Sequence, residues 1–441
     1  MADAHLGYIQ YNLLERFRDF AKSFRHVIEY ADEHDVDFVL IAGDLFHKRN
    51  INAATYMQAH KILDRLVSGR KAQGKLPIPV YIIEGNHDLA FTKDGMGWLN
   101  TLNYEGLVRL IRPLKRQLDS VNGINTSIEI MGDFIDLESV RIFGMKYIGA
   151  STRHEIERIV HEIHVVNEVL GKKYTILMMH FGMEGILSHA ASGELSYTTI
   201  HPLHDVVDYL ALGHYHNAYD FDNWVFNPGS VDLVSMSEHG YPKGFYHVTD
   251  NGAQLVEVPT RPVIRKHYNT DGIKTPDDLY IALESMFARD SDQNNDQNNN
   301  QNTTTDTDAP LVEVALSGTL SFPKTDLAFE RIEQLTRRYY NALRTDVKVY
   351  KTNDAYGVSE STVSGMSRKE VELKVLHEQV MLDTRYRHRC DVVTDMLIDT
   401  KEMVSQKASP EAIMERLKEV FAQVDARAGA DGSVEIKFGR V

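Results

Sequence analysis

Phe38-Val39-Leu40-Ile41-Ala42-Gly43-Asp44-Leu45-Phe46-His47 runs four apolar residues into a glycine turn that presents a carboxylate and then an imidazole. The apolar run reads as a buried strand, and the glycine ends it. A polar cluster follows an apolar run three more times. Val80-Tyr81-Ile82-Ile83 leads to Gly85-Asn86-His87-Asp88, Thr175-Ile176-Leu177-Met178-Met179 leads to His180, and Tyr209-Leu210-Ala211-Leu212 leads to Gly213-His214-Tyr215-His216. Between the strands lie helical patterns. Phe17, Phe20, Ala21, Phe24, Val27, Ile28 and Ala31 make one face of a helix over about residues 15–33. Strands alternating with helices predict an α/β layered domain, and near-continuous apolar strands predict sheets covered on both faces. In open α/β sheets the ligand site lies beyond the carboxyl ends of the strands, so four strands deliver polar clusters to one rim.

Composition bounds the rest. The chain has 441 residues, 43% hydrophobic and 25% charged, enough apolar material for a core and, by length, about three domains. Cys390 is the one cysteine, which excludes an intrachain disulfide and a cysteine zinc site. No apolar run approaches the roughly 20 residues of a membrane span. The first residues lack the pattern of a signal peptide, so a cytoplasmic, nucleoid-associated protein with no membrane partner is expected. A formal net charge of -15 argues against binding nucleic acid through a global basic field. It leaves room for local cations and short basic clusters to meet phosphate.

Asp3-Ala4-His5 precedes the four strand-end clusters, giving five in order. A lone histidine after a strand is more often structural than a ligand, and the case here rests on the series. Two divalent metals roughly 3.5–4 Å apart need a bridging carboxylate and several ligands each, and such a pair stabilises the charge that develops at phosphorus. Mixed oxygen and imidazole donors suit manganese, iron or zinc better than calcium.

The order D-x-H, G-D, G-N-H-D, H, G-H-x-H resembles the calcineurin-like metallophosphoesterases. Asp3-Ala4-His5-Leu6-Gly7-Tyr8, Gly43 to His47 and the chain length make it similar to the meiotic-recombination-eleven (SbcD-type) nucleases, in their archaeal form. The resemblance is specific over about residues 3–248 and weak beyond about residue 330. It implies a four-layer α/β metallophosphoesterase sandwich with a small α+β capping domain and a helical C-terminal region. It implies that Asp3, His5, Asp44 and His216 hold one metal, and that Asp44, Asn86, His180 and His214 hold the other. His87 would assist the leaving oxygen and His47 would sit beside the scissile phosphate. The family uses two Mn2+ per subunit in a 3′-to-5′ exonuclease on duplex DNA and an endonuclease on single strands, in double-strand-break repair. It works as a homodimer with a coiled-coil ABC ATPase of the Rad-fifty or SbcC type. Lys48 and Arg49 would contact phosphate or belong to an ordinary solvated loop, and the residues leave both open.

The expected domains are 1–250 for the nuclease, 251–330 for the cap, and 331–441 for the helical region that takes the ATPase. The Asn- and Gln-rich stretch 290–309 reads as a disordered insertion, because it has too little apolar surface to offset ordering entropy. Dimer helices would fall at about Ala54–Val67 and Gly95–Tyr104, although Tyr56, Ile62, Leu63 and Leu66 would serve equally as intramolecular core. In the C-terminal region Ser367 with Glu370 resembles a capping box, and Ser409-Pro410 starts another helix. Those helices either pack on each other or offer a face to a partner. Competing functions are a small-molecule or phosphoprotein phosphoesterase and a DNA-end scaffold that does not cut. The family leads an apolar strand into its first motif, whereas here Met1 and Ala2 alone precede Asp3. The expectation is that Met1 is internal to such a strand, the alternative being a truncation that weakens the site of Asp3 and His5.

Overall fold

In the computed structural model the described residues are 1–90, 95–112, 116–117, 129–130, 133–186, 194–297, 309–350, 373, 376–377, 380, 389–405, 409 and 412–418. They fall into two compact units: Met1–Arg265 with Phe287–Glu313 and Glu333–Asp346, and Lys266–Met286 with Val314–Ile332 and Val347–Val441.

The first unit is built on two sheets. Strands β1 (Val39–Ile41), β2 (Val80–Ile82) and β3 (Arg109–Leu110) pair in parallel in that order. Helices α1 (Leu14–Glu33) and α2 (Ala53–Asp64) bury their apolar faces with this sheet, and α2 runs on through a π-turn at Arg65–Gly69 into α3 (Arg70–Ala72). The short α4 (Trp98–Tyr104) joins the same core through Leu99 and Leu102. A two-residue pair, β4 (Arg116–Gln117) with β5 (Glu129–Ile130), is antiparallel. The second sheet has β6 (Phe134–Asp136), β7 (Val140–Gly144), β8 (Tyr174–His180), β9 (Tyr209–Gly213), β10 (Tyr219–Phe221) and β11 (Val225–Asn227) in the order β10-β11-β9-β8-β7-β6. Its outer layer holds α5 (Thr152–Leu170), with α6 (Tyr197–Ile200) nearby in the chain's path to β9.

Period-two alternation explains the layering. In β8, Ile176 and Met178 face the core between the sheets, while Leu177 and Met179 face the α5 side. In β9, Tyr209 and Ala211 take the inner core and Leu210 and Leu212 the outer one. In β2, Tyr81 points inward and Val80 and Ile82 point to α1 and α2. Three apolar cores therefore separate four layers (helices, sheet, sheet, helices), as the doubly covered apolar strands predict. A hairpin of β12 (Gly244–Thr249) and β13 (Gly252–Glu257) follows. Ile62, Leu63 and Leu66 of the α2 segment are buried in their own subunit's core, which settles the question the sequence left open for them.

Beyond residue 260 the sequence reading needs two corrections. Strands β14 (Val263–Asn269), β15 (Leu311–Ser317) and β16 (Arg344–Val349) form one three-stranded sheet, so the compact units interleave along the chain. Three consecutive domains were expected, because pairing between distant strands is invisible to a reading in chain order. Helix α7 (Pro276–Gln297) also runs through the first eight residues of the stretch read as disordered. Pro276 opens it, Asp277 and Asp278 favour its first turn, and Leu279, Tyr280, Leu283 and Phe287 are buried. Once so anchored, a helix extends at little cost. Residues 298–308 lie outside the described residues. In the second unit Thr270 N–H donates to the Ser317 carbonyl at 2.7 Å, and Ala328 N–H donates to the Tyr280 hydroxyl at 2.7 Å. Helices α8 (Phe329–Tyr340) and α9 (Cys390–Ser405) complete the described elements, with a further helical run at 412–418. The start expected at Ser367, with Glu370, lies outside the described residues, as does Pro410.

Arg16 ties α1 to the loop after β11. Its guanidinium is buried and donates to Gln10 Oε1, Asp19 Oδ2 and Asp232 Oδ1, each at 2.7 Å. Ser23 Oγ donates to the other Asp232 oxygen at 2.6 Å. Removing one partner of a buried pair strands the other charge. Asp232→Ala should therefore lose about 3 kcal/mol of unfolding free energy, the lower end of that effect because Asp19 stays in contact. Urea denaturation checks this, and a change within error of zero would contradict it.

Candidate metal centre

The five clusters meet at the carboxyl ends of both sheets. Asp44 follows β1, Asn86 follows β2, His180 closes β8, and His214 and His216 follow β9. Asp3 and His5 reach the same place on the first residues, which run beside β1. Met1 N donates to the Leu40 carbonyl at 2.9 Å, Asp3 N–H to Gly43 O at 3.1 Å, and His5 N–H to Asp44 O at 3.0 Å. Asp3, His5, Asp44 and His214 have φ of 52°, 48°, 52° and 101°. Left-handed backbone at non-glycine residues costs of order 1–3 kcal/mol each, and it persists where the surroundings over-determine it. Here it turns each side chain off its strand and into the centre. A Cβ on Gly43 would overlap the His180 ring, and one on Gly85 would overlap the Asp44 carboxylate, so both turns need glycine.

Three groups of donor atoms lie within 4.8 Å of one another: Asp3, His5 and His216; Asp3, Asp44 and His180; and His5, His47 and His87. His5 Nε2 and His216 Nε2 face each other at 3.1 Å. Asn86 Oδ1 is 3.1 Å from His180 Nε2 and 3.0 Å from His214 Nδ1. His180 Nε2 is 3.4 Å from Asp44 Oδ2. The backbone sets orientation. His180 Nδ1–H donates to Ala42 O at 2.7 Å and His87 Nδ1–H to His47 O at 2.7 Å, leaving each Nε2 toward the centre. His87 N–H donates to Asp44 Oδ1 at 2.8 Å, and its Nε2 lies 4.0 Å from Asp44 Oδ2. His47 stacks on Tyr8 with ring centroids 3.8 Å apart.

Electrostatics separates the groups. Burial alone would raise the Asp44 carboxyl, but His180, His5 and His87 outweigh it and hold it well below the usual carboxylate range. Burial lowers His180, but Asp44 prevails and lifts it to about 9. Burial, with His180 beside it, pushes His214 down to about 4, and burial with His87 and Lys48 pushes His47 down to about 4. Burial and the Asp44 charge push Asp3 up to about 6. Asp3 Oδ1, His5 Nδ1 and His47 Nδ1 are buried without a hydrogen-bond partner among the described residues. One unpartnered carboxylate oxygen and two unpartnered ring nitrogens, set beside a second carboxylate, an amide and further imidazoles, fit mixed-donor divalent cations.

Lys48 and Arg49 are exposed beside the centre. Arg49 Nε lies 3.3 Å from Asn86 O, and Lys48 lines a cleft of about 410 Å³ with Tyr8, Asn12 and Asn52. Sequence reading passed over two carboxylates that shape the centre. Asp88 is buried and accepts from Leu45 N–H at 3.0 Å and Phe46 N–H at 2.9 Å, locking the turn that carries Asp44. Burial and the Asp44 charge push it up to about 8. Its place directly after His87 was the available signal. Glu238 accepts from His216 Nδ1 at 2.9 Å, and nothing in its local sequence marks it.

Residues 1–218 match the family described as calcineurin-like phosphoesterase. The chain is 30% identical to the DNA double-strand break repair protein Mre11 of Archaeoglobus fulgidus over 59% of each chain. It is 28% identical to the protein of that name from Methanocaldococcus jannaschii, over 58% of this chain and 63% of the relative. It is 24% identical to that of Saccharolobus solfataricus, over 67% and 71%. The match thus spans about three fifths of the first two relatives' lengths.

Gly85→Ala should cut divalent-cation affinity by about tenfold or more, since displacing Asp44 by even 1.4 kcal/mol of strain has that effect. Manganese titration of the folded variant checks it, and wild-type affinity would contradict it. Manganese at about 100 times its dissociation constant should stabilise the wild-type fold by about 2.7 kcal/mol, and a chelator should reverse this. Thermal melts read the shift, and no change in melting temperature would count against the site.

Proposed function

We propose, on the match of residues 1–218 to the calcineurin-like phosphoesterase family, that the chain is a metal-dependent DNA nuclease of double-strand-break repair. One observation carries the reading: donor atoms from five separate turns, those of His87 and His47 among them, converge in groups within 4.8 Å. DNA as the substrate is supported by relatives named as DNA double-strand break repair proteins. The proposed activities are 3′-to-5′ exonuclease on duplex ends and endonuclease on single strands.

Asp3, His5, Asp44 and His216 would hold one cation, and Asp44, Asn86, His180 and His214 the other, with Mn2+ as the proposed metal. When bound, the pair supplies Lewis-acid charge and lowers the pKa of water. His87 is held by its backbone N–H and by Nδ1, so its Nε2 faces the centre and, when the ring carries its second proton, can give that proton to the leaving oxygen and return to the neutral Nδ1–H form. His47, low in pKa, stays neutral beside it and donates or accepts without adding charge. Lys48 and Arg49 meet the phosphate backbone outside the cleavage point.

We also propose a homodimer and an ATPase partner. Met57 on α2 and Tyr104 on α4 are exposed, and the two helices touch through Tyr56 and Trp98, whose ring centroids are 5.5 Å apart. Leu397 on α9 and Met414 are exposed too, which supports helix-in-groove recognition by a coiled-coil ABC ATPase. No described helix is long and apolar enough to cross a membrane.

His87→Ala should lower cleavage of a labelled duplex by about 10²–10⁴ while manganese content is unchanged. Undiminished cutting would remove His87 from the chemistry. In the wild type, hydrolysis of a small phosphodiester with no cutting of duplex or single-stranded DNA would favour a small-molecule phosphoesterase. Met57→Glu with Tyr104→Glu should yield monomers by light scattering, and an unchanged mass would exclude that face.

A further inference from the structure

His216 differs from its neighbours in what holds its outer nitrogen. His180 and His87 give Nδ1 to backbone carbonyls, which are neutral acceptors. His216 gives Nδ1 to the Glu238 carboxylate at 2.9 Å. Glu238 is itself fixed, because its other oxygen accepts from Lys243 Nζ at 2.7 Å and from Val234 N–H at 3.1 Å. Lys243, whose side chain is 2% exposed, also donates to the His216 backbone carbonyl at 2.8 Å and to Ser230 Oγ at 2.9 Å. One lysine thus grips both the backbone of His216 and the carboxylate that orients its ring. Gly229, with φ of 73°, lets the chain pass against the His216 carbonyl where a Cβ would not fit.

We propose that Glu238, steered by Lys243, is a positioning residue that holds His216 with Nδ1–H outward and the Nε2 lone pair toward Asp3 and His5, making that pocket the tighter of the two cation sites. The inference rests on the metal-site reading above. The physical reason is that a carboxylate behind a ligating imidazole excludes the wrong tautomer and raises the basicity of the ligating nitrogen, whereas a backbone carbonyl supplies mainly orientation. His214, in the other group, has no carboxylate on its ring nitrogens among the hydrogen bonds of the described residues; its Nδ1 faces Asn86.

The test is manganese titration of the full chain, following free ion by electron paramagnetic resonance. Two binding classes are expected. His216→Gln should abolish the tight class, and His214→Gln the weak one. Glu238→Gln keeps the shape of the side chain and should weaken the tight class by about 10–100-fold, leaving the weak class unchanged. In the His216→Gln background it should have no further effect on the class that remains. Nitrogen-15 spectra of the metal-free protein should show His216 as the Nδ1–H tautomer in the wild type and as a mixture in Glu238→Ala, a signature that a purely structural role would not produce. Unchanged tight-class affinity in folded Glu238→Gln overturns the proposal while leaving the metal centre standing. A tight class that survives His216→Gln also overturns it. Absence of any manganese binding in the wild type sinks the metal reading and this inference together.

Discussion

The Asp44 carboxylate is almost fully buried where the two sheets open, and a buried charge of that kind persists when positive or hydrogen-bonding groups surround it. His87 N–H, the His180 ring and the nearby His5 fill that role. To put them there, the chain accepts left-handed backbone at Asp44 itself and at Asp3, His5 and His214. It also places glycines where the β1 and β2 turns cross within contact of the carboxylate. Asp88 then fixes the turn from behind through the Leu45 and Phe46 amides. Strain, glycine placement and buried hydrogen bonds all serve one carboxylate.

Such a turn holds its shape only if the strands beneath it do not move. Three apolar cores, one between the sheets and one on each outer face, lock β1, β2, β8 and β9. The Arg16, Asp19 and Asp232 network then pins α1 against the segment after β11, a few residues before Glu238. These contacts run from the helical layers to the segment that carries Glu238, the hydrogen-bond partner of His216. On the function proposed above, a centre preorganised in this way would take a cation or a phosphate without reorganising first.

Much of this was legible in the residues. Strand runs at 38–41, 80–83, 175–179 and 209–212 correspond to β1, β2, β8 and β9, and the amphipathic pattern at 15–33 corresponds to α1. Local chemistry explains why: a mostly apolar run of four or five residues that stops at a polar cluster has few alternatives to a buried strand. The polar clusters after them, quoted from sequence, come together in space. Beyond residue 260 the local signal thinned. Over residues 290–297 the Asn- and Gln-rich composition misled, because it measures the cost of ordering and says nothing of the helix already anchored at Leu279, Leu283 and Phe287.

The residue order alone determined the layered α/β class, the rim at which the polar clusters gather and the donor types they carry, since each follows from local periodicity and side-chain chemistry. Folding in three dimensions decided the rest. It brought Glu238 and Lys243 behind His216, buried Ile62, Leu63 and Leu66 in their own core, and interleaved the two compact units. Those outcomes depend on pairing between residues far apart in the chain. A carboxylate that orients a distant imidazole looks, in sequence, like any other surface glutamate, and only packing removes it from water and gives it a single partner.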